Sequence, residues 1–100
     1  MTPARTATFY IANLGSEVSR LQSAHTSGDT QAAGDALKRA RGIFTKLSEM
    51  SLRDSARAEI KILEEVVEDL PRQIQRFAVT AQSLESYFLP FANLVLATRT

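Results

Sequence analysis

The chain contains no cysteine, no tryptophan and a single histidine. Without thiols there is no disulfide framework, no thiolate nucleophile and no cysteine-ligated zinc site. A chain free of cysteine is compatible with a reducing compartment, and the expected location is cytoplasmic. Helix breakers are scarce, with prolines only at Pro3, Pro71 and Pro90 and glycines only at Gly15, Gly28, Gly34 and Gly42. Neither sign of charge is in excess. Twelve Lys and Arg face eleven Asp and Glu for a formal net charge of +1, which exerts no global pull on nucleic acid or anionic lipid. A long apolar run is also missing. The longest, Tyr87 to Ala97, is interrupted by Pro90 and Asn93 and reaches roughly half of the ~20 residues a spanning helix needs. Met1 to Arg5 opens an amphipathic pattern and not the apolar core of a signal peptide.

What is present is helical periodicity. The 100 residues, 44% hydrophobic and 23% charged, suit one globular domain, 1–100. Thr2 as cap and Pro3 at the first helical position predict the start of helix 1. Ala7, Ile11, Leu14, Val18 and Leu21, with His25 next in the series, trace its buried face. Gly28 should stop this helix and Asp29 should cap the next. In helix 2 the stripe is Ala33, Ala36, Leu37, Ala40, Ile43, Phe44 and Leu47, with Gly34 and Gly42 on the opposite, polar side. Ser51 and Asp54 have the spacing of a capping box ahead of helix 3, whose face is Leu52, Ala56, Ile60, Leu63, Val67 and Leu70. The predicted fold is therefore all-α, three to four amphipathic helices in an antiparallel helical bundle, approximately 3–26, 29–49, 51–70 and 71–98.

Pro71 leaves an alternative. The apolar series runs straight through it from Leu63 to Val95, and Glu68 and Arg72 have the order of a favoured i,i+4 ion pair if the helix continues. A helical hairpin plus one long Pro-kinked helix, completed by dimerisation, competes with the bundle on these grounds. Pro90 removes a backbone bond to Ser86, so a kink or break is expected near 86–90.

Residues for chemistry are few. His25 has only Ser27 and Asp29 nearby in sequence, with no nucleophile elbow. Glu64, Glu65, Glu68 and Asp69 lie away from the Leu63–Val67–Leu70 stripe and should face solvent, and no Glu-x-x-His pair offers a diiron site. Lys38, Arg39, Arg41, Lys46, Arg53 and Arg57 make the centre mildly basic without interleaved aromatics. The glycines match neither nucleotide-binding signature. No enzyme activity, cofactor or metal is expected.

The C-terminal segment is the informative one. From Phe77 to Thr98, Glu85 is the single charged residue, and such a segment must be buried by its own bundle, by a second copy or by a partner. This points to a non-enzymatic helical protein–protein interaction or oligomerisation module, adaptor-like or coiled-coil-like. It would bind through Phe77, Leu84, Tyr87, Phe88, Phe91, Leu94 and Val95, with a homodimer or another helical protein as the expected partner. A regulatory bundle holding a small apolar ligand near Pro90 is the first alternative. A weak nucleic-acid-associated accessory role through the basic face of helix 2 is the second.

Overall fold

Capping sets the element boundaries. In the computed structural model, which describes residues 6–72 and 80–97, α1 (Ala7–Ser27) begins after Thr6, whose backbone is extended and whose Oγ1 accepts from the Phe9 N–H at 3.2 Å. The cap of α1 is Thr6; Thr2 and Pro3, where the helix start was expected, lie outside the described residues. At the other end Gly28 takes φ 77°, a left-handed conformation that costs glycine little and other residues more. Its N–H donates to the His25 carbonyl at 3.2 Å and the next N–H, of Asp29, donates to the Ala24 carbonyl at 2.9 Å. Asp29 then caps α2 (Thr30–Ser48), its Oδ1 accepting from the Ala32 N–H at 3.0 Å. A turn this short forces α1 and α2 antiparallel, as the Gly28-Asp29 pair predicts.

The step from α2 to α3 (Asp54–Asp69) is organised differently from expectation. Ser51 and Asp54 do not form a capping box: the cap residue is Arg53, which makes no side-chain cap bond. Asp54 instead opens the first turn, where a carboxylate is favoured by the helix dipole. The orphan carbonyls at the end of α2 are met by Arg57, which donates to Ser48 O at 3.4 Å and Met50 O at 2.5 Å.

Pro71 marks a turn. Helix α3 ends at Asp69, the Leu70 N–H reaches back to Val67 O, and the Arg72 N–H bonds Asp69 O at 3.1 Å. The Glu68–Arg72 pair is absent because the helix that would align it has ended: Arg72 approaches Asp69 at 3.6 Å and Glu68 pairs with Arg41 of α2. These features set the single long helix aside in favour of four packed helices. Helix α4 (Ala81–Ala97) opens on a reciprocal box, the Thr80 N–H donating to Ser83 Oγ and the Ser83 N–H to Thr80 Oγ1. It carries Pro90 inside and is continuous to Ala97, so of the kink or break expected near 86–90 the break is excluded. Ser86 and Pro90 are both exposed, which leaves the carbonyl that Pro90 cannot bond free to take water.

Helix α1 occupies the centre, packed against α2 on one side and α4 on the other, while α3 rests more lightly on α2. Leu14, Val18 and Leu21 of α1 are fully buried among Ala36, Ala40, Phe44 and Leu47 of α2 and Leu84 and Phe88 of α4. The end of the α1 stripe is Ala24; His25, next in the predicted series, is exposed. The central position is therefore held by α1, the helix that presents buried residues to two neighbours.

Gly34 and Gly42 face open space, with no atom within 4 Å of where a Cβ would stand. Gly34→Ala and Gly42→Ala are each expected to raise unfolding stability by about 0.5–1 kcal/mol through helix propensity alone. Denaturant midpoints that fall in either variant would contradict this.

Candidate functional site

The aromatic residues of α4 divide between core and surface. Leu84 and Phe88 are buried against α1. Their approach depends on Gly15: a Cβ there would lie 2.7 Å from Phe88 Cβ and 2.8 Å from its Cγ. Phe88 also meets the Tyr87 ring edge-on, with centroids 5.1 Å apart, a favoured aromatic geometry. Tyr87 and Phe91 are half-buried with rings 5.8 Å apart. The Tyr87 hydroxyl donates to Glu59 Oε1 at 2.6 Å and so ties α4 to α3. Burial first, and then the bond and charge of Glu59, push the phenol pKa well above its ordinary value. Of the remaining residues predicted to bind, Phe77 lies outside the described residues, as do the side chains of Leu94 and Val95.

Leu89 is turned the other way and is 54% exposed. It lines a groove of about 740 Å³ between α1 and α4, with Leu84 and Phe88 of α4 and a shelf of small α1 residues, Ala12, Gly15, Ser16 and Ser19. Arg20 and Glu85 lie along its sides. Sequence periodicity missed this groove because Gly15, Ser16 and Ser19 carry no apolar signal; a run of small residues flanking one helix stripe was the sign available. Ile62 of α3, 58% exposed, is the other large apolar side chain left open among the described residues, and it does not line the groove.

A second feature was also not foreseen. Glu17 of α1 has a side chain only 9% exposed, held between Arg20 on its own helix and Arg39 of α2, whose Nε donates to Oε2 at 2.5 Å. Both arginines remain more than half exposed, so their charge stays hydrated while the carboxylate is fully bonded. This clamps α1 to α2. Glu17→Gln should lower stability by about 1 kcal/mol, since one charge-assisted bond is lost and an amide N–H₂ then faces a guanidinium. An unchanged denaturation midpoint would show the clamp to be no stronger than a surface pair.

The charged clusters read from sequence are largely absorbed by the fold. Arg39 serves Glu17, Arg57 serves the end of α2, and Arg41 makes a two-point contact with Glu68 at 2.6 and 2.8 Å. The Arg41 hydrogen bond, outweighing partial burial, holds the Glu68 carboxyl below its usual range. Of the acidic cluster expected at the surface, Glu64 and Glu65 are exposed, but Asp69 is buried at the end of α3. The helix stops there, and the turn that follows folds Leu70 and Asp69 inward.

His25 stands exposed in the last turn of α1. Its possible partners are committed elsewhere, Ser27 Oγ to Ala24 O and Asp29 to the α2 cap. Among the described residues no three His, Asp or Glu side chains converge where a metal ion could be held, and no helix is long and apolar enough to cross a membrane. Comparison of the chain with protein-family models, with curated proteins and with solved structures finds no match in any of the three.

Proposed function

We propose that this chain is a non-enzymatic helical interaction module that takes a partner helix along the groove between α1 and α4. The observation that carries the reading is Leu89: a large apolar side chain left exposed beside a shelf of small residues whose floor is Leu84 and Phe88. An apolar knob next to a shallow, small-residue groove is how helices dock by side-chain interdigitation. Its main anchor would be Leu89, seated beside the buried Leu84 and Phe88 and extended by the rest of the α4 face.

A small apolar ligand is served less well by the same groove. Such ligands have about 70–90% of their surface enclosed, whereas Ser16, Ser19, Ser23 and Leu89 around this groove are all exposed. Nucleic-acid binding is left with a thinner patch, since Arg39 and Arg41 are engaged in ion pairs with Glu17 and Glu68.

The test is selection of helical peptides displayed as a library against the full chain, with Leu89→Glu and Ser19→Arg as counter-selections. Enrichment of amphipathic helices that bind the native chain and neither variant supports the reading. No enrichment, or binders indifferent to both substitutions, overturns it.

A further inference from the structure

The two sides of the α1–α4 groove carry opposite charges. Arg20 stands on the α1 side, more than half exposed, with Glu17 occupying one of its nitrogens. Glu85 stands exposed on the α4 side, and no cation among the described residues is paired with it. A strongly acidic or basic partner would be matched on one side and opposed on the other. A two-fold axis running along the groove, in contrast, carries each side of one copy onto the opposite side of its mate, so a surface of this kind complements itself. The shape agrees, since the exposed Ser16 and Ser19 leave a low shelf on the α1 side and the groove supplies a projecting side chain in Leu89. A formal charge of +1 raises little repulsion between copies.

We infer that the occupant of the groove is the same groove of a second copy, docked about a two-fold axis. Leu89 of each chain enters the small-residue shelf of the other, and Arg20 of each meets Glu85 of the other. This rests on the interaction-module reading above and adds the identity of the occupant.

Sedimentation equilibrium on the full chain decides it, using the native protein, Glu85→Arg, Leu89→Glu, and an equal mixture of Glu85→Arg with Arg20→Glu. The expected result is a native dimer that either single variant weakens at least about tenfold. The circular-dichroism melt of the diluted chain should not change, because both positions are exposed. In the mixture, each chain's altered side faces its complement and dimers return. Arg20→Glu also removes a partner of Glu17; should it fail to fold, the two single variants still decide the question. A native monomer at high micromolar concentration overturns the inference, as does a dimer indifferent to both Glu85→Arg and Leu89→Glu. A monomer that still binds displayed helices in the groove loses only this inference; one that binds none loses the interaction reading as well.

Discussion

Replacing Phe88 by alanine is expected to cost about 3–5 kcal/mol of unfolding stability. The side chain is 6% exposed, crosses α1 at Gly15 and supports the Tyr87 ring. Its removal leaves a void at the seam between α1 and α4, and glycine has no side chain with which to fill it. Since a domain of this size has a total stability of only about 5–15 kcal/mol, the loss should show as a large fall in the denaturant midpoint. Leu89→Ala, one residue on, should stay within about 0.5 kcal/mol when the chain is diluted to the monomer, where the leucine is more than half exposed. Comparable losses in the two variants would mean that the faces of α4 are not divided between core and surface as described.

Gly15→Ala is the second large effect, opposite in sign to the same substitution at Gly34 or Gly42. Helix propensity favours alanine at all three positions by about 1 kcal/mol. At Gly15 the added methyl would meet Phe88 Cβ at 2.7 Å and Cγ at 2.8 Å. These atoms lie close to the α4 backbone and cannot swing aside like the end of a long side chain, so the helices must separate. A net loss of about 1–3 kcal/mol is expected from overpacking. The cost should shrink in part once Phe88 is alanine, because the close contacts to Cγ and Cδ1 disappear while the one to Cβ, which alanine keeps, remains, and the two changes are coupled by contact. A double-mutant cycle in urea measures the coupling. Additive losses, or a stabilising Gly15→Ala, would show that the seam is looser than these distances require.

These two residues also show where sequence reasoning reached and where it stopped. The stripes of α1 and α2 were legible because a buried helical face repeats every three or four residues, and Leu14, Val18, Leu21, Ala36, Ala40 and Leu47 are all buried as their spacing implies. The Gly28-Asp29 turn was legible because its chemistry is confined to adjacent residues. Thr80 and Ser83 carry an equally local signal, but serine at the third helical position is a weaker mark of a capping box than glutamate. At Ser51 the opposite happened: a pattern suited to a cap was present, and Arg57 bridging the end of α2 takes over the connection.

The candidate site was half visible. An apolar α4 that needed cover follows from composition, and Leu84 and Phe88 were among the residues expected to take part. That α1 and not a second chain covers those two depends on Gly15, a residue whose significance is the absence of a side chain opposite a distant phenylalanine.

The same division holds across the molecule. All-helical class, helix faces and the first turn follow from residues within a few positions of one another, because periodicity and capping are local. The central place of α1, the burial of Glu17 between two arginines, the Arg41–Glu68 and Tyr87–Glu59 ties, and the exposure of Leu89 over a groove arise between residues on different helices or opposed to them across a seam. An amphipathic stripe states that something must cover it; which helix does so is settled by how closely two backbones can approach, and here a single glycine allows that approach.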